Sequence, residues 1–365
     1  MWGSPAAAVP VFSVFIPFLG CPRRCVFCSQ HEQTGQRPLP LDEILGSAAA
    51  ALRHRRRQGR PAPELAFYGG TFTALPAHEL DACLRLARSL IRDGCVTAFR
   101  CSTRPDRLDA PLLAHLRRHG CRAVELGIQS FADTALQASE RHYSGGRAED
   151  ACRLVRRAGL ALGVQLLPGM PGHGEEDFLA DVRRALALGA DMLRFYPCLV
   201  LAGTELARRW QNGLYTPWPL PRTLLLLARG WLYARRAGVP VIRMGLAPEA
   251  AMEAALLAGP ADRNLGGRVL GRALWLHVCA CLLGLQGGRA AENEARAAAL
   301  LERLLTGAAT PPGLPRAQAL YLPRSCQGFF RGPGGELERA WAALGITRRN
   351  RIWTPGHAAA LHPAV

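Results

Sequence analysis

The chain of 365 residues contains no lysine. All 45 of its basic side chains are arginine, against 28 Asp and Glu, for a net charge of +17. A surplus of that size invites a polyanionic partner. The missing lysine, set beside abundant alanine, marks part of the surplus as compositional drift and dilutes what charge alone can say. No secretory segment is evident. An apolar run ending in Leu19-Gly20-Cys21 has the outline of a lipoprotein signal, but no basic residue precedes it and Pro17 interrupts it. No apolar run is expected to reach the length of a membrane span; the longest, residues 273–285, contains His277. The 12 cysteines are scattered rather than framed as disulfide pairs, so a reducing cytoplasm is the expected location and no membrane association is expected. There is no internal repeat. What remains is a globular composition, 49% hydrophobic, long enough for one large domain and an appendage.

Three of the cysteines stand together. Cys21, Cys25 and Cys28 have C-x3-C-x2-C spacing in a tight loop after the apolar run 11–20, which reads as a buried strand turning at Gly20. Thiolates so close converge on one point, and soft sulfur suits an iron–sulfur cluster or zinc. Three thiolates on a four-iron cluster leave one iron open for another ligand. For zinc, His31 would complete a tetrahedral set. Three inert structural thiols are the remaining alternative.

Apolar or β-rich runs occur at residues 11–18, 65–68, 97–101, 123–126, 162–167, 192–196 and 239–244. Helical patterns lie between them at 42–54, 77–92, 110–119, 147–158, 175–188 and 221–236. Such alternation predicts βαβ units, hence an α/β fold with a parallel sheet closed into a partial (β/α)6-type barrel. Ligands in such sheets lie at the carboxyl ends of the strands, where the cysteine loop falls. Beyond residue 250 the alternation stops. Helices are expected at 248–257, 271–285 and 293–305, then a Pro/Gly-rich break at 307–315 and weak strands at 319–322 and 351–353. The expected domains are 1–250 and a small, mostly helical extension, 251–365, in which substrate choice is expected to reside.

Several strand ends carry polar strings. The second runs into Gly69-Gly70-Thr71-Phe72-Thr73, where glycine permits close backbone approach of a ligand or simply turns the chain. The third ends in Cys101-Ser102-Thr103-Arg104-Pro105-Asp106. The fourth carries Glu125 and Gln129; Glu125 is either a site residue or a structural partner of Arg100 or Arg122. Arg141-His142 follows a short helix, where an arginine can also be a solvated helix end. Pro168-Gly169-Met170-Pro171-Gly172 ends the fifth strand and Arg194-Phe195-Tyr196-Pro197 the sixth, with Tyr196 either facing the cavity or on the core rim. Cys279 and Cys281, two apart on a helix, do not share a face, and with Cys326 they read as small hydrophobes.

The cysteine spacing, with the aromatic Phe27 before the last cysteine, resembles the radical S-adenosylmethionine (SAM) superfamily. Together with the glycine string and the third and fourth strand ends, it is most similar to the radical SAM domain of the Elongator catalytic subunit and its shorter bacterial relatives. Oxygen-independent coproporphyrinogen oxidase is a more distant likeness. The resemblance covers residues 9–250. It implies a [4Fe-4S] cluster held by Cys21, Cys25 and Cys28, with SAM on the open iron; an electron from the cluster then splits the S–C5′ bond and releases a 5′-deoxyadenosyl radical. It further implies that Gly69, Gly70 and Thr71 bind the methionyl amino group and that Glu125 and Gln129 lie near SAM at the barrel mouth. Arg141 would meet the SAM carboxylate, the Gly169–Gly172 turn would lie against adenine, and Phe27 would stand beside the cofactors. An external electron donor of flavodoxin or ferredoxin type is implied as partner.

Too few residues remain for the acetyltransferase domain of the Elongator subunit, so acetyl-CoA-dependent carboxymethylation is not expected. Five arginines in the eight residues from Arg53 to Arg60 end the first helix. They complement its dipole, or grip RNA. The likeness to the Elongator subunit points to tRNA; the likeness to coproporphyrinogen oxidase points to an anionic small molecule. An RNA-binding or zinc-binding module without SAM chemistry is the alternative from another class.

Overall fold

The computed structural model describes residues 9–16, 18–22, 24–29, 39–246, 250–355 and 359–363. Contacts divide the chain into two units. The larger runs to Pro219 and includes Ala234–Ala261; the smaller comprises Leu220–Tyr233 and Asp262–Val365.

In the larger unit, seven short strands rich in apolar residues form one parallel sheet: β1 (Val11–Ile16), β2 (Glu64–Gly69), β3 (Phe99–Thr103), β4 (Cys121–Gln129), β5 (Ala161–Leu166), β6 (Met192–Phe195) and β8 (Val241–Met244). Their order, β1-β2-β3-β4-β5-β6-β8, follows the chain, and every pair is parallel. Each crossover therefore adds a strand at the same edge, and the sheet curls into a half-barrel. Strand positions such as Leu65, Phe99, Val124, Leu162 and Leu193 are wholly buried. The helices between strands each turn an apolar stripe inward, as Leu80, Leu84, Ala87 and Leu90 do on helix Ala77–Arg92. Side chains mark their starts. Asp109 accepts from Leu112 N at 2.8 Å ahead of helix Ala110–Arg118, and Ser144 accepts from Arg147 N at 3.2 Å ahead of Gly145–Arg157.

Two expectations are corrected. The apolar segment 248–257 is not one helix. Ala250–Ala255 is helical, and β9 (Leu256–Ala258) then pairs antiparallel with the two-residue strand β7 (Val200–Leu201); residues 247–249 lie outside the described ones. A short apolar run has no periodicity to tell strand from helix. The second correction concerns span length. Helix Leu265–Leu285 has 21 residues and is long and apolar enough, by length and composition, to cross a membrane. The sequence reading started it at Gly271, six residues late. In the structure 61% of its most apolar window is buried within the protein, including Val269, Ala273, Leu274, Trp275 and Cys279. Gly271 lies where a Cβ would meet Phe329 O at 2.4 Å, so a neighbouring segment packs on its backbone. Helix Ala290–Leu305 lies beside it, and β10 (Ala317–Pro323) is flanked by β11 (Arg351–Thr354) and β12 (Ala360–Pro363) in a three-stranded sheet.

Candidate active site

The cysteine loop is clasped by the end of β2. Gly70 N donates to Ile16 O at 2.8 Å and Thr71 N to Leu19 O at 2.9 Å. Cys21 Sγ lies 3.2 Å from Thr71 Oγ1. Gly69 has φ +111°, and a Cβ there would stand 2.6 Å from Ile16 O; a Cβ on Gly70 would stand 2.0 Å from Leu19 O. The space a side chain at Gly70 would take is thus filled by the backbone of the cysteine loop, not reserved for a ligand as the sequence reading had it. From the other side, Leu206 N donates to Val26 O at 2.8 Å. The partly buried ring of Phe27 packs on the core of Leu167, Met170, Cys198 and Leu206.

Arginines meet the middle cysteine. Arg141 Nη1 lies 2.9 Å and Arg104 Nη1 3.8 Å from Cys25 Sγ. Arg141 is buried and also donates to Gly127 O at 2.5 Å and to Tyr143 Oη at 2.7 Å. It is not the solvated helix end weighed above. Burial opposes its charge, but Tyr143 and Cys25 outweigh that, and its pKa lies above the usual arginine value. Arg104 holds Asp106 and donates to Arg141 O at 2.7 Å. Burial, then the neighbouring thiols of Cys25 and Cys21, push the Cys28 thiol up to about 12.

A cavity of about 480 Å³ opens between this loop and the strand ends. Its walls bring together Cys21, Cys25, Cys28, Phe27, Gly69, Gly70, Thr71, Glu125, Gln129 and Arg141. Tyr196 lines it as well. The Gly169–Gly172 turn, expected against adenine, does not line it but borders a separate cavity with His173 and Trp218. The floor of the first cavity is a buried ion network. Glu125 pairs with Arg194 at 2.6 Å and Arg100 at 3.3 Å and accepts from Tyr68 Oη at 2.7 Å. Arg100 also pairs with Glu64. Glu125 therefore both faces the cavity and is the partner of Arg100; Arg122 is exposed. Burial and Glu125 keep the Tyr68 phenol well above its usual pKa. Gln129 accepts from Gln165 Nε2 at 3.3 Å. Four non-glycine residues among those described have positive φ, namely Phe18, Gln129, Glu140 and His142. One lies in the cysteine loop, one on the cavity wall, and two flank Arg141. Strain of this kind persists where surrounding structure holds it, and it gathers at functional sites.

The radical SAM superfamily model matches residues 15–185, and the radical SAM C-terminal domain model matches 190–272. The chain belongs to the radical SAM superfamily. It is 28% identical over 255 residues to a tRNA uridine(34) acetyltransferase of Methanocaldococcus infernus, covering 58% of this chain and 47% of that protein. It is 26% identical over 196 residues to an oxygen-independent coproporphyrinogen III oxidase of Cereibacter sphaeroides, covering 53% and 43%. The chain thus spans about half the length of the curated relatives it matches. The solved structure of Methanocaldococcus infernus Elp3 lacking its N-terminus superposes with TM-score 0.55 at 20% identity, over 72% of this chain and 62% of that one; at that identity the likeness is one of fold.

As a radical SAM enzyme the protein takes a [4Fe-4S] cluster and SAM as cofactors. The three thiols of one loop supply the soft sulfur donors that an iron–sulfur cluster takes. Among the described residues no three of His, Cys, Asp and Glu converge closely enough for one metal ion. Zinc binds sulfur at about 2.3 Å, so its thiolates must nearly touch; a four-iron cluster spreads three thiolates over three irons. His31, the fourth ligand of the zinc alternative, lies outside the described residues.

Sequence reading missed the roles of Arg104, Tyr143, Arg194 and Arg243, of which all but Tyr143 line the cavity. The available signal was strand parity: Arg194 and Tyr196, two apart, share a face, and the Cα partner of Arg194 on β8 is Arg243.

Proposed function

We propose that the protein reductively cleaves SAM and directs the resulting radical at a nucleotide of an RNA, tRNA in the first instance. The observation that carries the first part is the meeting of the three thiols, the Gly69-Gly70-Thr71 turn and Arg141 in one cavity at the carboxyl ends of the strands. When bound, the cluster supplies the electron that splits SAM. Cys21, Cys25 and Cys28 hold it. Arg141 and Arg104 place positive charge beside the Cys25 sulfur. Thr71 and the backbone of Gly69 and Gly70 set the edge against which the methionyl end lies. Glu125 and Gln129 offer acceptors from the floor and wall, and Phe27 shields the loop from water. An external flavodoxin- or ferredoxin-type protein delivers the electron.

The RNA reading rests on the likeness to the tRNA uridine(34) acetyltransferase and on the basic run. His54, Arg55, Arg56 and Arg57 form the last turn of helix Leu41–Arg57. The chain enters β2 at Glu64 soon after, so the run lies at the amino ends of the strands, opposite the cavity. There it contacts RNA flanking the reacting nucleotide. The runner-up, an anionic small molecule, is favoured by Arg194 and Arg243 on the cavity wall.

Two measurements test this. Anaerobically purified protein should hold about four irons per chain, and any one of Cys21→Ala, Cys25→Ala or Cys28→Ala should strip them; stoichiometric zinc without iron refutes the cluster. Binding of mixed tRNA should weaken steeply with salt, and Arg55→Ala/Arg56→Ala/Arg57→Ala should lower both affinity and slope. A wild type with no salt-dependent tRNA binding turns the assignment to the small molecule.

A further inference from the structure

The three-stranded sheet of the smaller unit carries a cationic, aromatic surface that nothing in the cavity explains. After Glu338 the chain has four arginines and no acidic residue. Arg348 and Arg349 are exposed on the turn that leads into the edge strand β11. That turn is pinned. Thr347 N donates to Asn350 Oδ1 at 2.8 Å, and Asn350 Nδ2 donates to Gly345 O at 2.8 Å and Gln318 O at 3.0 Å. The next residue, Arg351, lays its guanidinium over Phe330 at 4.8 Å and Trp353 at 5.1 Å. Its Nε is buried with no hydrogen-bond partner. Burial, with the charges of Arg331 and Arg348, pushes its pKa below the usual arginine value. Glu338, the carboxylate that acts on it, is already paired with Arg331.

On the other face of the sheet, Tyr321 and His362 meet edge to face, centroids 5.3 Å apart, with His362 exposed. Tyr321 is the Cα partner of Ile352 on β11, and Ile352 is 40% exposed. An open sheet face with an aromatic pair, bordered by arginines on a rigid turn, suits unstacked bases with their phosphates alongside. An acidic peptide would use the arginines but leave the aromatic pair idle.

We propose that this sheet is an RNA-binding surface: Arg348 and Arg349 take phosphates, and Tyr321 with His362 stacks a base from a single-stranded or loop segment. This rests on the RNA reading of the substrate and adds where on the smaller unit the RNA is held.

The test is tRNA binding by the full-length, cluster-loaded protein at two salt concentrations. Arg348→Glu/Arg349→Glu, on an exposed turn, should weaken binding about tenfold or more and flatten the salt slope by roughly 1.5, the share of two phosphate contacts. Tyr321→Ala should weaken binding while leaving the slope unchanged, because stacking releases no counterions. Iron content and RNA-free SAM cleavage should match wild type in both. A wild type that binds tRNA while both variants bind equally well overturns this proposal alone. No tRNA binding by the wild type overturns the substrate reading with it. Polyglutamate competing as effectively as tRNA overturns the RNA assignment in favour of an acidic protein partner.

Discussion

Gly70 carries more of the site than its size suggests. With Leu19 O only 2.0 Å from where its Cβ would be, Gly70→Val must displace the cysteine loop before it touches any ligand. The expected outcome is loss of iron together with loss of SAM binding, read by iron assay and equilibrium binding; normal iron with weakened SAM binding would restore the simpler view of this glycine. Arg141 should behave differently. Arg141→Gln keeps a donor but removes the charge beside Cys25, so iron should largely remain while SAM cleavage falls about tenfold or more. Full activity in that variant would remove Arg141 from the mechanism. Glu125 combines floor and structure: Glu125→Ala leaves Arg100 and Arg194 facing each other in a buried place, and breaking such a pair costs about 3–5 kcal/mol. A drop in denaturation midpoint should therefore accompany any loss of SAM affinity.

Among the elements, the short helix Glu205–Gln211 is where the cysteine loop is held from behind. Thr204 donates to Leu201 O at 2.7 Å and accepts from Ala207 N at 3.0 Å. Thr204→Ala removes that cap at a cost of about 1 kcal/mol and loosens the bond from Leu206 N to Val26 O, so cluster loss on air exposure should quicken. Unchanged cluster lifetime would mean that the loop is held by β2 alone. Neither this helix nor β7 and β9 was legible in the sequence. Each is too short for its periodicity to declare itself. The parallel strands were legible because they are continuous apolar runs separated by amphipathic helices. The place of the cysteine loop followed from the rule that parallel sheets bind ligands at strand carboxyl ends, whereas Gly69–Thr71, Glu125, Gln129 and Arg141 were singled out by the resemblance to the radical SAM superfamily. What could not be read was which neighbour each one meets. Arg141 is 116 residues from Cys25 along the chain, and no local pattern announces that contact.

At the scale of the whole molecule, burial of thiols sets a pH dependence. Burial pushes Cys28, Cys83, Cys152, Cys198 and Cys279 each up to about 12. An unfolded thiol titrates near about 8.5. Between those values the folded state keeps protons that the unfolded state has released, so stability falls as pH rises through the window, by up to about 1.4 kcal/mol per thiol per pH unit. Apoprotein should unfold at lower urea at pH 10 than at pH 8, and cluster loading, which requires Cys28 as thiolate, should release a proton at neutral pH. A flat urea midpoint across that range would contradict the burial of these groups. The central claim, however, is that three thiols and one cavity make a radical-generating site. Its most direct measurement is 5′-deoxyadenosine formed when anaerobic, iron-loaded protein is reduced with dithionite in the presence of SAM. The wild type should form about one equivalent or more per chain and Cys25→Ala none. An iron-loaded wild type that binds SAM and yields no 5′-deoxyadenosine would contradict the account.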